Sequence, residues 1–125
     1  MLESAKTILH IEDNSDNRML IRRILQFEGY HVLEAENARS AMSLLAVYRP
    51  DLILMDINMP DVDGYTLTNH IKGLPGFIKI PIIAITANVM KGDREKTIRA
   101  GCDGYIEKPI DVDSFLDTIE HFLKL

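Results

Sequence analysis

The chain has 125 residues, of which 46% are hydrophobic, and it carries a formal net charge of -5 at pH 7. This length and apolar content predict a single domain, residues 1–125, and the acidic balance disfavours a nucleic-acid surface, because phosphate backbones are bound by clustered Lys and Arg. No apolar run approaches the length of a membrane span and no leader pattern is present, so we expect no membrane partner and a cytoplasmic protein.

Strand and helix signals alternate along the chain, which predicts an α/β fold. The first half comprises, in order, a strand from Thr7 to Ile11, a helix between the Asn14-Ser15-Asp16 cap and Gly29, a strand from Tyr30 to Leu33, and a helix between Asn37 and Arg49-Pro50 with Tyr48 on its inner face. These helix limits follow from capping side chains at one end and from glycine or proline at the other.

The second half continues the alternation. It comprises, in order, a strand from Leu52 to Met55, a helix from the Pro60–Gly64 turn to Leu74, a strand from Ile82 to Ile85, a helix from about Lys91 to Ala100-Gly101, a strand at Tyr105 and a helix from Asp111 to Leu123. The third strand is an unbroken apolar run, typical of a parallel strand covered on both faces. Right-handed crossovers then give a doubly wound parallel five-stranded sheet, a (βα)₅ fold.

Polar residues follow four of the predicted strands. They are Glu12 and Asp13, Asp56, Thr86, and Lys108. Because the carboxyl ends of parallel strands share one edge of the sheet, these groups should meet in one crevice. Two like charges about 4 Å apart repel by roughly 4 kcal/mol at an effective dielectric near 20, so the three acids favour a bound cation. Oxygen ligands favour Mg²⁺ over zinc, and a carboxylate-held metal favours phosphoryl chemistry.

Five short segments occur in an order and spacing typical of one protein family. They are Ile11-Glu12-Asp13-Asn14, Pro50 to Asp56, Met59-Pro60 with Gly64, Ile85-Thr86-Ala87, and Tyr105 to Pro109. With them the chain resembles the receiver domain of two-component response regulators over essentially its whole length. The run Met90-Lys91-Gly92-Asp93 is more similar to single-domain and hybrid-kinase receivers than to those of transcription factors. The resemblance implies the flavodoxin-like strand order 2-1-3-4-5.

The resemblance also implies a phosphoacceptor and a metal site. Asp56 would attack a phosphohistidine, or a small acyl or amide phosphate, as a carboxylate nucleophile. Asp13 and Asp56 would hold Mg²⁺ together with the backbone carbonyl of Asn58. Glu12 would act through a water, and it replaces the Asp that is commoner there in the family. His10, inside the first strand, is predicted to be a packed core imidazole, because magnesium disfavours nitrogen donors.

Further roles follow from the same resemblance. Thr86 and Lys108 would bind phosphoryl oxygens, and the peptide bond from Lys108 to the proline after it would be cis. Thr86 would move toward the phosphoryl group and Tyr105 would turn into the vacated space, although Tyr105 could equally be a static aromatic residue packed on the fourth helix. Asn58 and Asn88 would border the path of the water that hydrolyses the phosphoaspartate.

We therefore predict a phosphorylation-controlled signalling domain that catalyses only its own Mg²⁺-dependent phosphorylation and dephosphorylation. Its partners would be a histidine kinase or histidine phosphotransfer protein and an effector protein, with no DNA-binding segment or other output domain beyond the fifth helix. Binding would depend on phosphorylation and would use the face that contains Lys91, Arg94, Tyr105 and the fifth helix. A phosphorylation-dependent dimer on that face is one form such binding can take.

Two other functions compete with this prediction. A phosphatase of the haloacid dehalogenase type also uses an Asp nucleophile with Mg²⁺, but it requires a second acid two residues later, where this chain has Asn58. A degenerate receiver could act as a binding module that is independent of phosphorylation. The intact acid pair, Thr86 and Lys108 argue against that alternative.

Overall fold

The computed structural model describes residues 5–60, 63–87 and 91–124, and for residues 91–93 the backbone alone. Strands and helices alternate through these residues. The strands are β1 (Thr7–Ile11), β2 (His31–Ala35), β3 (Leu52–Asp56), β4 (Ile82–Thr86) and β5 (Gly104–Glu107). The helices are α1 (Ser15–Phe27), α2 (Ala38–Leu45), α3 (Gly64–Lys72), α4 (Lys91–Arg99) and α5 (Val112–Leu123). The predicted (βα)₅ architecture is confirmed.

The strands pair in parallel in the order β2-β1-β3-β4-β5. This is the flavodoxin-like order that the resemblance implied. Ile11 at the end of β1 lies opposite Met55 on β3, and Asp56 lies opposite Ile85 on β4. This register keeps the carboxyl ends of neighbouring strands level. The residues that follow β1, β3, β4 and β5 therefore lie along one edge of the sheet.

Helices cover both faces of the sheet, and β3 and β4 are buried at every position. Alternate residues of a strand point to opposite faces. Leu54 of β3 accordingly belongs to the same buried cluster as Phe115 of α5, whereas its neighbour Ile53 belongs to the cluster that contains Ile71 of α3. Each fully buried Leu, Ile or Phe side chain stabilises the folded state by roughly 1.5–3 kcal/mol relative to leaving it exposed. This packing on both faces holds the ends of β3 and β4 in place.

Polar side chains set the start of the helices as predicted. Asn14 accepts the N–H of Asn17 at 2.9 Å at the start of α1, and Asn37 accepts the N–H of Ser40 at 2.7 Å at the start of α2. Asp111 caps α5 in the same way. Each cap satisfies an N–H that has no partner within its helix, which stabilises a helix by about 1 kcal/mol. None of the described helices is long and apolar enough to cross a membrane.

The predicted end of the second helix is wrong. α2 ends at Leu45 and not at Arg49-Pro50, and the side chain of Tyr48 is 51% exposed instead of lying on an inner face. The N–H groups of Val47 and Tyr48 both donate to the carbonyl of Leu44, at 3.1 and 2.7 Å. These bonds close a tight turn just after the helix. The position of Pro50 in the sequence does not reveal that the helix ends before this turn.

The third helix is also shorter than predicted, since α3 ends at Lys72 and Leu74 lies beyond it. The ammonium of Lys72 donates to the carbonyls of Ile78 and Ile80, at 3.0 and 2.7 Å, and pairs with Asp103 at 2.8 Å. This cation satisfies three acceptors from later parts of the chain and so attaches the end of α3 to them. The helix gives way to a turn where the N–H of Leu74 donates to the carbonyl of Ile71, three residues earlier, at 3.0 Å.

The second strand is displaced along the chain relative to the prediction. β2 spans His31–Ala35 and not Tyr30 to Leu33. Its pairing with β1 continues to the end, where the N–H of Glu12 donates to the carbonyl of Ala35 at 2.9 Å. The hydrogen bonds to β1, which a local apolar pattern does not reveal, define the limits of this edge strand.

Candidate functional site

Three acidic side chains meet at the carboxyl edge of the sheet. Glu12 and Asp13 follow β1 and Asp56 ends β3, and the ligand oxygens that they offer lie within 4.8 Å of one another. Glu12 and Asp56 are only 2% and 3% exposed, whereas Asp13 is exposed. The cluster therefore has two buried carboxyl groups and one at its mouth, and the predicted convergence of the three acids is confirmed.

Lys108 places one positive charge beside the buried acids. Its Nζ lies 3.3 Å from Oδ2 of Asp56 and 3.8 Å from Oε1 of Glu12. The backbone N–H of Lys108 donates to the carbonyl of Thr86 at 2.8 Å, and the peptide bond to Pro109 is cis, as predicted. One ammonium cannot neutralise three ionised carboxylates, so the cluster favours a proton or a cation among its acids.

The two buried acids have opposite pKa shifts. The pKa of Glu12 is raised to about 7, first by burial and then by the hydrogen bond with Asp56 and the charge of Asp56, which together outweigh the lowering effect of Lys108. Burial also favours the neutral form of Asp56, but the hydrogen bond from Glu12, the Asn58 N–H and Lys108 outweigh it and hold the pKa of Asp56 below its ordinary value. Asp56 is thus a carboxylate at neutral pH, and Glu12 holds a proton as the pH falls below about 7.

The donor set fits a hard divalent cation. All three acids offer oxygen ligands. A bound cation would take the place of the proton on Glu12 in offsetting the negative charge of the acids. Nitrogen and sulfur donors are absent from the described metal-ligand group. Mg²⁺ accepts a few carboxylates and keeps several waters, so Glu12, Asp13 and Asp56 are residues that could hold it.

Asn58 positions Asp56 and also connects two strand ends. Its backbone N–H donates to Oδ1 of Asp56 at 2.9 Å, which leaves Oδ2 facing Lys108. Its side-chain oxygen accepts the N–H of Ala87 at 2.8 Å. The bond to Ala87 was not foreseen from the sequence. The position of an Asn in the turn directly after a strand is its one sequence signal, because Asn side chains bind nearby backbone groups.

The profile of the response regulator receiver domain matches residues 8–120. The chain belongs to this family. The polar-differentiation response regulator DivK of Brucella anthropi is 42% identical over 118 residues, which are 94% of this chain and 96% of DivK. The family resemblance drawn from the five sequence segments is confirmed.

Solved receiver domains have the same fold. One is the receiver domain of a sensor histidine kinase from Pseudomonas aeruginosa, whose structure has a magnesium ion coordinated in the active-site cleft. It superposes with a TM-score of 0.89 at 33% identity, covering 98% of this chain and 100% of that one. The chemotaxis protein CheY4 of Vibrio cholerae superposes with a TM-score of 0.91 over 95% of this chain and 99% of its own, and at 24% identity this likeness concerns the fold alone.

The receiver domain places Thr86 and Tyr105 on adjacent strands. Thr86 ends β4 and is 4% exposed, and Tyr105 lies on β5 opposite Ala84 of β4. The ring of Tyr105 is half-buried, and the guanidinium of Arg94 in α4 lies 5.6 Å from its centroid. A cation this close to an aromatic face is stabilising. Asn88 and Met90, and the side chain of Lys91, lie outside the described residues.

Arg18 is a site residue that sequence reasoning missed. It lies one turn into α1, and its Nη1 donates to the backbone carbonyl of Glu12 at 2.8 Å, while Nη2 lies 4.0 Å from Glu36. This contact fixes the backbone that presents both acids of the first loop. Nothing in the local sequence distinguishes Arg18 from the other basic residues of the same helix.

His10 is 1% exposed, which confirms the prediction of a packed imidazole in the core. Burial lowers its pKa to about 4, against an opposing effect of the Asp56 charge. Its ring is therefore neutral near pH 7. Among the described residues, none is a hydrogen-bond partner of its Nδ1.

Proposed function

We propose that this receiver domain accepts a phosphoryl group on Asp56 from a phosphohistidine of a histidine kinase or a histidine phosphotransfer protein. One observation carries the proposal. Asp56 is a buried carboxylate with a lowered pKa, held by the Asn58 N–H at 2.9 Å and by Lys108 at 3.3 Å. An ionised, oriented carboxylate is a competent nucleophile toward phosphorus.

The transfer itself needs little from the protein beyond position and charge. An oxygen of Asp56 attacks phosphorus, the P–N bond of the phosphohistidine breaks, and its electron pair returns to the imidazole ring. Lys108, now 3.3 Å from Oδ2 of Asp56, is close enough to follow the negative charge onto a phosphoryl oxygen. Thr86, at the neighbouring strand end, would supply a hydroxyl to another of those oxygens.

Mg²⁺ would be held by the carboxylates of Asp13 and Asp56 and the backbone carbonyl of Asn58, with Glu12 acting through a water. When bound, it supplies positive charge that offsets the charge of the acids and of the phosphoryl oxygens. The cluster of oxygens within 4.8 Å supports this assignment, as does the magnesium ion in the related Pseudomonas receiver domain.

The output would be a change in protein binding. Phosphorylation would draw Thr86 toward Asp56, and Tyr105 would leave Arg94 and turn inward, which would alter the surface formed by α4, β5 and α5. That surface would bind the effector, or a second copy of the chain, in a phosphorylation-dependent way. The contact between Tyr105 and Arg94 at 5.6 Å supports this proposal, because it gives the unphosphorylated state a contact that can be lost.

Turnover of external phosphate esters would be poor. A phosphatase with an Asp nucleophile needs an acid two residues later, but Asn58 cannot donate a carboxyl proton, and its side-chain oxygen accepts the N–H of Ala87. The domain would therefore act on its own phosphoaspartate, and its rate of hydrolysis would set the duration of the signal.

Intact mass spectrometry after reaction with acetyl phosphate tests the proposal. The native chain should gain one phosphoryl group when Mg²⁺ is present and none in excess EDTA, and Asp56→Asn should gain none in either condition. Asp51→Asn is a matched control, because Asp51 is an exposed acid at the opposite end of β3 that accepts the N–H of Thr7 at 2.8 Å. Equal uptake by Asp56→Asn and the native chain would refute the assignment of Asp56.

A further inference from the structure

The outer side of β2 is an unpaired edge of the sheet in the part of the chain that the structure describes. β2 is the first strand in the order β2-β1-β3-β4-β5, so it pairs with β1 alone. Towards β1, the N–H of His31 donates to the carbonyl of Lys6 at 2.9 Å. Alternate residues of a strand bond to the same neighbour, so the backbone N–H and C=O groups of Val32 and Glu34 point away from β1.

A groove of about 540 Å³ lies beside this edge at the amino end of β2. Tyr30 lines it on the face of the sheet that α1 covers, and Tyr48 lines it from the turn after α2, which covers the other face. Val32 and Leu33 of β2 also line it. The described residues of its lining include no Asp, Glu, Lys or Arg, although 26% of the chain is charged. The groove therefore favours an uncharged occupant.

Three large apolar side chains are exposed at the two helix ends that border the groove. Phe27, the last residue of α1, is 90% exposed, and Val47 and Tyr48, just after α2, are 77% and 51% exposed. Single exposed apolar residues are common, but a group of them beside an unpaired strand is typical of a binding surface. The centres of protein interfaces are enriched in aromatic residues and depleted of charged ones, as this corner of the molecule is.

We propose that this groove binds an extended, uncharged segment of a partner protein, which pairs with β2 as an additional strand. The outward-facing N–H and C=O groups of Val32 and Glu34 require an extended backbone as their partner. Side chains on the two faces of the added strand would contact Tyr30 and Tyr48. A charged side chain there would lose water without gaining an opposite charge, so apolar and small polar side chains fit best.

A second copy of this chain fits the groove less well. Pairing two β2 strands in the antiparallel register centred on Leu33 uses both outward-facing residues of each strand. That register places Glu34 of each copy opposite Val32 of the other. It also places Glu36 opposite Tyr30. Two acids from each copy would then lie against an uncharged groove, which is unfavourable.

Selection from a random peptide library displayed on phage tests the chemistry of the partner segment, with the whole native chain as the target. Peptides enriched by the native chain over Val32→Pro should be rich in β-branched and aromatic residues and poor in charged ones. Proline at this position removes one outward-facing N–H and keeps the bonds to β1, and edge strands tolerate proline at such positions. The proposal would be overturned if the selected peptides were rich in charged residues, or if none depended on Val32.

Amide NMR titration with the most enriched peptide tests the position of binding. We expect saturable shifts and slowed hydrogen exchange at the amides of Val32 and Glu34. Val32→Pro should bind about fivefold more weakly, which is the effect of one hydrogen bond. Tyr48→Ser, at an exposed position, should weaken binding by at least as much and is a second variant in case Val32→Pro does not fold. Ile78→Ser, which removes a side chain that is 66% exposed outside the groove, should leave the affinity unchanged.

Three further outcomes would overturn the proposal. They are shifts confined to a surface other than β2, equal affinity of the native chain and Tyr48→Ser for the peptide, and light scattering that shows the free chain to be a dimer whose β2 amides are already protected from exchange. The binding does not depend on the proposed function. These experiments need no phosphoryl transfer, so failure of Asp56 as the acceptor would leave their result unaffected.

Discussion

The ammonium of Lys108 lies 3.3 Å from Oδ2 of Asp56, and the two residues are separated by 52 positions in the chain. The same ammonium lies 3.8 Å from Glu12, so it is shared between both buried acids. Because Lys108 lies on the segment after β5 and Asp56 ends β3, this contact exists only when β4 is correctly placed between them. A cation at this point has opposite effects on the two ligands of the proposed site, since it repels Mg²⁺ and attracts a phosphoryl group.

Lys108→Met should therefore separate metal binding from phosphoryl uptake. Removing one positive charge a few ångströms from the metal site should strengthen Mg²⁺ binding by about tenfold, while uptake from acetyl phosphate should slow by at least as much. Binding should be measured by calorimetry at about pH 8.5, where Glu12, with its pKa of about 7, is ionised. Lys124→Met removes an exposed lysine paired with Glu120 and should change neither quantity. Weaker Mg²⁺ binding in Lys108→Met would contradict the electrostatic argument.

Mg²⁺ affinity should depend on pH through Glu12. Its carboxyl group has a pKa raised to about 7 without metal, so the cation must displace a proton below that pH. The apparent affinity should rise by up to about tenfold per pH unit below pH 7 and level off above it. Glu12→Gln should remove this dependence and bind Mg²⁺ more weakly. A native slope retained in Glu12→Gln would show that another group holds the proton.

The stability of the metal-free chain should change little between about pH 5 and 6.5, because two buried groups oppose each other. The pKa of His10 is lowered from 6.5 to about 4, so in this window the unfolded state binds its proton and the folded state does not, and stability rises with pH. The pKa of Glu12 is raised from 4.5 to about 7, so the folded state keeps a proton that the unfolded state has lost, and stability falls with pH.

Single substitutions should reveal the two hidden slopes. Glu12→Gln should become more stable with rising pH, and His10→Leu should become less stable, each by up to about 1.4 kcal/mol per pH unit. Guanidinium unfolding in EDTA across the window measures both. His31→Leu, at an exposed position, should keep the flat native profile. Parallel profiles in all four proteins would contradict the assigned pKa shifts.

Tyr105 should change its surroundings when the acid cluster is occupied. With Mg²⁺ and beryllium fluoride we expect its ring to leave the guanidinium of Arg94, now 5.6 Å from the ring centroid, and to become more buried as Thr86 moves. Crystal structures with and without beryllium fluoride give the rotamer directly. Light scattering under the same conditions reports whether the altered face forms a dimer. An unchanged rotamer in both states would favour the static packing of Tyr105, and an unchanged mass would exclude the dimer.

The principal features of the site follow from the sequence through one general property of parallel sheets. Acids that directly follow two apolar strands must meet if those strands are parallel neighbours, and this predicted the convergence of Glu12, Asp13 and Asp56. The positions of Thr86 and Lys108 follow in the same way from β4 and β5. Short local signals were sufficient to predict these positions, because a polar residue after an apolar run marks the end of a strand. The helix starts at Asn14, Asn37 and Asp111 were predictable in a similar way, because a polar capping residue marks the start of a helix.

Tertiary structure alone decided how those groups interact. The proton held by Glu12, the lowered pKa of Asp56 and the bond from Ala87 to Asn58 depend on distances between strands, and no local pattern encodes such distances. The end of α2 depends on a local competition between turn and helix, and the contact of Arg18 with the backbone of Glu12 depends on how α1 packs beside the end of β1. The sequence specifies which groups reach the edge of the sheet. Packing sets the distances between these groups and their exposure to water. Electrostatic energy depends on distance and on exposure, so packing determines which of the groups are ionised.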